Sequence, residues 1–360
     1  MRILDRYIVK KFLAVLFFTT LAFIVIFIVV DLVEHLDKFI TSKAGIDRTF
    51  LYYVYYIPYI IVLTLPVNML LSSLFSLGSM AQHNELIAVL SSGVSLYRIV
   101  FPLLFVALII SIVSGFAGET MVPEANRRRF DIYRYEIRNQ PREAVGTQRQ
   151  ISLQDYDNRQ ISILYYDARK KRANKVNIVR KEGNQILERW DVKYMIWKDS
   201  LNYWMLHDIT RRTFNNSSEK ITKVDSFAYS DTRVAPEDLI DLQVKPEEMN
   251  YRELSRFVEK MRGLGADARK WVVDLYMKIS YPFSCFIIVL FGAPLASRKR
   301  RSGPALGFAI ALLISFVYFL ILRSGQVLGH NGTLEPWLGA WIGNIIFAIG
   351  GILLMLKARK

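Results

Sequence analysis

Long apolar runs at residues 12–30, 51–79, 99–118, 279–296, 305–322 and 337–356 set the rhythm of this chain. A hydrocarbon core of about 30 Å takes roughly 20 helical residues, so each run is suited to cross a membrane as a helix. The first run carries no charge. It is longer than a signal-peptide core and has no small-residue cleavage site behind it, so it reads as a retained span. The second is interrupted by Pro58 and Pro66 and exceeds the length needed, which predicts tilt or a kink. Tyr52, Tyr53, Tyr55 and Tyr56 near its start suit an interfacial aromatic belt. Pro282 and Pro294 fall in the fourth run. The pattern predicts six transmembrane helices, three on either side of a long polar insert.

The insert changes its period along its length. Residues 119–139 are charged and helix-like, with Arg127, Arg128, Arg129 and Arg134. From 145 to 234 the pattern shifts to alternation: ISILYY, KVNIV, VKYMIW, NYWML and KITKVDSFAY lie between polar turns such as KEGNQ and FNNSSE. Many short strands without long helices predict an antiparallel sandwich or jelly roll. Strict alternation points Ile161, Ile163, Tyr165, Val176, Ile178, Tyr194, Ile196, Trp204 and Leu206 inward. Residues 237–262 read as a linker and then a helix, with a break at Gly263 and Gly265.

One connector is unlike the rest. Residues 80–98, MAQHNELIAVLSSGVSLYR, are too polar for lipid and too apolar for a simple loop. Leu86, Val89, Leu90, Val94 and Tyr97 recur at the spacing of one helix face, before and beyond a break at Gly93. This is either a short docking helix or an ordinary connection between spans.

The resulting division is a first membrane half at 1–118, a connecting helical segment at 119–144, a β domain at 145–240, a linker and helix at 241–278, and a second membrane half at 279–360. The fold class is an α-helical membrane protein of six spans with an external, all-β, jelly-roll-like domain inserted between spans three and four.

Composition agrees with that segregation: 52% of the 360 residues are hydrophobic, yet 22% are charged. The formal charge of +15 flanks apolar runs, which favours a membrane surface over nucleic acid. The basic lead-in MRILDRYIVKK, the loop SRKRRSGP and the closing KARK all fall on one side of a six-span protein. By the positive-inside bias that side is the cytoplasm, which puts both termini and residues 80–98 there and the β domain outside. Cys285 is the single cysteine, so no internal disulfide forms. No Walker A sequence occurs, GVSLYR lacks the second glycine of a nucleophile elbow, and His35, His83, His207 and His330 are scattered without metal-ligand spacing. Neither a catalytic set, a metal site nor a cofactor is expected. Asn68 and Asn344, inside spans, suit helix packing.

LDRYI near the start, AQHNELIAVLSSGVSLYRI, YPFSCFIIVLFGAPLASRKRRSG and LEPWLGAWIGNIIF, in that order, resemble the LptF/LptG family of lipopolysaccharide export permeases, and the opening leans toward the LptG branch. The resemblance covers nearly the whole chain. It implies the inner-membrane permease half of a Gram-negative ABC transporter that extracts lipopolysaccharide from the outer leaflet of the inner membrane and passes it to a periplasmic bridge. The implied partners are a paralogous permease, a cytoplasmic ATPase dimer of the LptB type that hydrolyses the ATP, and a single-span periplasmic protein of the LptC type. Lipid would enter between the two permeases through gates formed by spans one and five, and the β domain would lie in the periplasm.

The resemblance also implies roles for residues. Glu85 matches the family's coupling-helix glutamate, with Leu86, Val89, Leu90 and Gly93 completing the surface that meets the ATPase. Lys38 falls where lysines at the exit of span one meet lipid phosphates, although here Asp31 and Asp37 stand at neighbouring positions that are basic in other members. Arg323, Arg127 and Arg128 lie near predicted outer ends and are either ligand contacts or snorkelling anchors. Ile163, Ile178 and Trp204 are candidates to line an acyl-chain path in the β domain. The rival readings are a non-transporting scaffold or mechanical relay between an ATPase and a periplasmic partner, and a membrane-embedded lipid-modifying enzyme. The lack of clustered acid, base or metal residues argues against the enzyme.

Overall fold

A computed structural model describes residues 3–42, 45–138, 148–155, 158–182, 185–199, 202–215, 218–232, 234–236, 239, 245–263, 267–296 and 304–357. Met1 and Arg2 of the basic lead-in, the basic stretch 297–303, residues 358–360, and Gly265 at the expected break lie outside them. The chain divides into two compact units: residues Met1–Ile132 with Arg269–Lys360, and residues Tyr133–Ala268.

The first unit is helical. Its elements are α1 (Ile3–Thr41), α2 (Ile46–Gln82), α3 (Glu85–Ser91) and α4 (Leu96–Asp131), then α6 (Arg269–Ala296), α7 (Pro304–His330) and α8 (Pro336–Lys357). All but α3 contain a stretch long and apolar enough to cross a membrane. The helices outrun the apolar runs that announce them. The polar residues 31–41, expected as a connector, continue α1 to 39 residues, about 58 Å at 1.5 Å per residue. Charge stops a membrane span but not a helix, because Asp, Glu, His and Lys all tolerate helical backbone.

The core of this unit gathers on α2, which supplies Met69, Leu70 and Leu77, packed with Ile99 and Leu103 of α4 and Ile288 and Val289 of α6. Some buried polar side chains pair between helices, although the Asn68 Oδ1 has no hydrogen-bond partner among the described residues. Asn68 donates to Thr20 (3.2 Å) and Thr64 (3.1 Å). Tyr318 donates to Asn344 (2.8 Å), whose amide donates to the Ser280 carbonyl (2.6 Å), joining α7, α8 and α6. In contrast, the most apolar stretch of α1 has no residue buried within the chain. Of α1 only Asp5, Ile8, Phe12 and Asp31 are buried.

Helices α7 and α8 cross at glycines. Gly325 and Gly329 on one, four residues apart, face Gly339 on the other, and Gly343, four residues further on, packs against Leu322. A Cβ at Gly325 would meet the Gly339 carbonyl oxygen at 2.6 Å, and one at Gly339 the Gly325 oxygen at 2.8 Å. Small residues four apart let backbones approach this closely.

The second unit holds an antiparallel sheet of six strands: β1 (Gln148–Gln154), β2 (Arg159–Asp167), β3 (Arg172–Glu182), β4 (Gln185–Lys198), β5 (Tyr203–Asn215) and β6 (Ser218–Tyr229). Helix α5 (Tyr251–Gly263) follows and buries Leu254, Phe257, Val258 and Met261. Among the described residues the strand order is the order of the sequence, so these six strands connect as a meander in one sheet, without the crossovers of a two-sheet sandwich. The sheet rolls: Tyr229 at the end of β6 donates to Asp155 beyond β1 (2.9 Å), and Arg159 of β2 pairs with Asp231 at 2.7 Å.

Alternation along the strands changes phase midway. Ile161 and Ile163 of β2 are buried, and the next buried residue is Tyr166; on β4, Val192 is followed by Met195; on β5, Leu206 is followed by Ile209. Lys175 and Asp208 adopt left-handed φ values of 50° and 52° at this line, which turns the following residues over. On β2 and β4, which pair with the strands of Lys175 and Asp208, Tyr165, Tyr194 and Ile196, expected inward with their neighbours, are only half-buried, while Tyr166 and Met195 take the core positions.

Candidate functional site

Chemistry-bearing residues collect at the two ends of the helical unit. At the end where α2 turns into α4, the short helix α3 is framed by two left-handed residues, Asn84 (φ 60°) and Gly93 (φ 87°). Asparagine tolerates that conformation and glycine adopts it freely. Glu85 in the first turn of α3 accepts a hydrogen bond from the Tyr7 hydroxyl (2.9 Å), and Lys11 lies 3.8 Å away. Tyr7 and Lys11 belong to α1, so this carboxylate ties α3 to the base of α1. A second tie runs alongside: Arg98 of α4 donates to the buried Asp5 of α1 at 3.0 Å.

The sequence assigned Leu86, Val89 and Leu90 to one docking face, and the structure divides them. Leu86 is 1% exposed within the chain's own core, and Val89 packs partly buried against that core. The apolar surface left open on α3 is Ile87 and Leu90. The reason is the shortness of α3: a single face must serve as the anchor, so only the opposite one is presented outward.

At the other end of the unit, α1 finishes and α2 begins with an aromatic cluster. Asp31 is buried, and its carboxylate accepts from Tyr53 (3.2 Å) and Tyr52 (3.5 Å). His35 Nδ1 lies 3.6 Å from the same carboxylate. Phe39 packs against both tyrosines. The Arg129 guanidinium sits 3.6 Å from the centre of the Tyr56 ring and 5.2 Å from that of Tyr52. A cation over aromatic faces is stabilised most where water is excluded. The sequence marked the tyrosines as a belt and Arg129 only as part of a basic run. Asp31, a carboxylate placed directly behind an uncharged span, stood out in the sequence only as a departure from a basic position, and its link to the tyrosines was missed. Tyr53→Phe is expected to lower stability by about 1.5–3 kcal/mol, the range for a hydrogen bond to a charged acceptor. The unfolding temperature of the solubilised protein measures this, and an unchanged value would show that Tyr53 contributes packing alone.

The predicted head-group cations are not alike. Lys38 is exposed in the last turn of α1 and Arg127 is half-buried on α4. Arg128 pairs with Glu124 at 2.9 Å and donates to Tyr55 at 3.4 Å. Arg323 on α7 is exposed and donates to Gln326 (2.6 Å), which donates to Asp274 of α6 (2.9 Å); His330 contacts the same carboxylate oxygen at 3.0 Å. Lys278 and Glu119, 3.6 Å apart, join α6 to α4. In the β unit, Ile163 and Ile178 are buried on the concave face, and Trp204 is fully buried, its indole N–H donating to the Val234 carbonyl at 2.7 Å. Trp204 is therefore a core residue that a ligand reaches only if the sheet opens. Among the described residues no group of histidine, cysteine or carboxylate side chains is arranged to hold a metal ion.

A family model described as lipopolysaccharide export system permease LptF/LptG matches residues 6–357. The lipopolysaccharide export system permease protein LptG of Escherichia coli (strain K12) is 20% identical over 368 residues, covering 99% of this chain and 98% of that protein. The LptG protein of Haemophilus influenzae is 20% identical over 358 residues, 96% of each chain. The LptF protein of Escherichia coli (strain K12) is 32% identical over 83 residues, 23% of each chain.

Proposed function

The chain belongs to the LptF/LptG family of lipopolysaccharide export permeases, and we propose that it is one transmembrane half of an ABC transporter that extracts lipopolysaccharide from the outer leaflet of the inner membrane. The second half is a paralogous permease of the same family. ATP is hydrolysed by a separate cytoplasmic dimer of the LptB type, a single-span partner of the LptC type joins on the periplasmic side, and the lipid leaves along a periplasmic bridge. Both termini and α3 face the cytoplasm in this reading, and the β unit faces the periplasm.

The observation that carries the reading is α1. Its most hydrophobic stretch is uncovered along its length within the chain, while polar ties hold it at both ends. A helix attached in this way suits a lateral gate, closed by lipid or by a second subunit. α7 exposes Leu313, Phe316 and Leu320, a second apolar wall suited to acyl chains. The exposed Ile87 and Leu90 of α3 are the proposed contact with the ATPase, with Glu85 relaying its movement to α1.

Reconstitution with the paralogous permease, the ATPase dimer and lipopolysaccharide in vesicles tests this. ATP-dependent transfer of lipid to a periplasmic acceptor is expected. Lipid that stays in the membrane while ATP is hydrolysed would favour a mechanical relay instead. Replacing both Lys38 and Arg323 with glutamine is expected to weaken the stimulation of ATPase activity by lipid and leave the basal rate unchanged. A charge-assisted contact to phosphate is typically worth about 1.5–3 kcal/mol. Unchanged lipid affinity at low and moderate salt would make both residues interfacial anchors.

A further inference from the structure

Where β6 rolls back toward β2, the concave side of the sheet holds a pocket of about 270 Å³. Trp190 lines it, with Phe227 and Tyr229 edge-on at centroid distances of 5.2 and 6.1 Å. The Arg211 guanidinium lies 5.2 Å from the Trp190 ring centre, and that of Arg159 lies 5.6 Å from the Tyr229 ring centre. Both arginines are also held by carboxylates, Arg211 by Glu188 and Arg159 by Asp231. Arg180 of β3 lines the same pocket and is exposed, and its side chain has no hydrogen-bond or ion-pair partner among the described residues. Asp155, beside Tyr229, also acts on Arg159, so of the three guanidiniums it is that of Arg180 that faces the aromatic wall without a carboxylate partner.

This combination narrows the ligand. A bare anion makes no use of the aromatic rings, and an acyl chain makes no use of Arg180. A sugar ring packs its C–H face on an aromatic side chain, and an anionic substituent on that ring meets the guanidinium in a charge-assisted contact. The volume falls just below the ~300–1,000 Å³ common for small-molecule sites, which suits one ring and not an acylated disaccharide. Tyr229 is a stable part of the wall. Burial, and then the charge and hydrogen bond of Asp155, push its hydroxyl well above the ordinary tyrosine value, so it remains neutral at any working pH.

We infer that this pocket binds a single anionic pyranose, a sugar phosphate or sugar acid, with its ring on Trp190 and its charge on Arg180. The inference rests on the transport reading for the source of the sugar, and it assigns the β unit a contact with saccharide in addition to acyl chains.

Titration of the full-length protein in lipid nanodiscs with glucose 6-phosphate tests the site, with glucose and inorganic phosphate as the two halves of the probe. Glucose 6-phosphate is expected to bind, and each half to bind at least about tenfold more weakly, glucose for want of the charge-assisted contact and inorganic phosphate for want of the ring packed on Trp190. Arg180→Gln, at an exposed position, is expected to weaken the sugar phosphate by about tenfold or more without moving the unfolding temperature. Trp190→Leu should remove saturation transfer to the ring protons; should that variant unfold, the comparison of Arg180→Gln with Arg180→Glu carries the test. Equal affinity of the parent and Arg180→Gln, or no binding by a normally melting parent at millimolar sugar phosphate, would overturn the site. Competition by the deacylated saccharide of lipopolysaccharide would identify a lipid head group as the source; a bound sugar phosphate that this saccharide does not displace would identify a free one. Failed lipid export with retained sugar-phosphate binding overturns the transport reading alone. Normal export without sugar-phosphate binding overturns the pocket alone.

Discussion

Glu85→Ala is expected to leave the protein inserted and folded while slowing lipopolysaccharide export by about tenfold or more, the scale of a coupling free energy of 1–3 kcal/mol. Stability should change little. The Lys11–Glu85 pair is partly exposed, and such pairs contribute about 0–1 kcal/mol. The hydrogen bond from Tyr7 is exposed, where water replaces the lost partner, so it adds about 0.5–1.5 kcal/mol at most. Leu86, anchored in the core, holds α3 in place without the carboxylate. What Glu85 provides is a stiff link between α3 and α1 (78 residues separate it from Tyr7). A push on Ile87 and Leu90 then reaches the proposed gate helix directly. Tyr7→Phe should give an intermediate defect, because Lys11 remains. Glu85→Gln still accepts from Tyr7 and should be mild. Glu85→Lys, which faces Lys11, should be the most severe. Export and ATPase retention measured together separate loss of relay from loss of docking. Normal export by both Glu85→Ala and Glu85→Lys, with a full complement of ATPase, would remove this residue from the coupling mechanism.

The second large effect is expected at the α7–α8 crossing. Gly339→Val places a branched side chain where a Cβ alone would lie 2.8 Å from the Gly325 oxygen and 3.0 Å from the Gly329 Cα. Both neighbours are backbone, so no rotamer change relieves the clash and the helices must separate. Overpacking of a close-packed site typically costs about 1–3 kcal/mol, occasionally more. Separation here would also strain the Tyr318–Asn344–Ser280 chain. A loss of at least about 3 kcal/mol is therefore expected, visible as a large fall in unfolding temperature or loss of the monodisperse protein. Gly78→Ala is the control. A Cβ there meets nothing within 4 Å, and alanine in a helix interior is favoured over glycine by roughly 0.5–1 kcal/mol. An unchanged unfolding temperature for Gly339→Val would show that the crossing is looser than its geometry implies.

The candidate site was legible in part. Glu85 stands out as the acid that opens an amphipathic turn, and Asn84 and Gly93 are residue types suited to the bends that frame it. Its partner was not legible, because Tyr7 and Lys11 are distant in sequence and only folding brings α1 beside α3. For the same reason Leu86 and Leu90 look alike on a helical wheel, yet one is core and the other surface. Asp31 was noticed as a departure from a basic position. Its enclosure by Tyr52 and Tyr53, and the placing of Arg129 on Tyr56, depend on three helices meeting.

The sequence by itself determined the six apolar spans, the strand-rich insert between the third and the fourth, and the family. These follow from hydropathy and period, which are local properties of the chain. Only the tertiary structure decided how far α1 runs beyond its apolar core, which of its faces is uncovered, and that Gly325 and Gly329 meet Gly339. It also decided the reversal of phase along the strands. Alternation counts residues and assumes a constant strand, whereas left-handed turns at Lys175 and Asp208 exchange inside for outside midway. Such a turn at lysine costs energy that the sheet as a whole must offset, through the cross-strand packing of Tyr166, Met195, Trp204 and Leu206, and aspartate, which tolerates the conformation better, has no local pattern around it that marks Asp208 as the residue that turns.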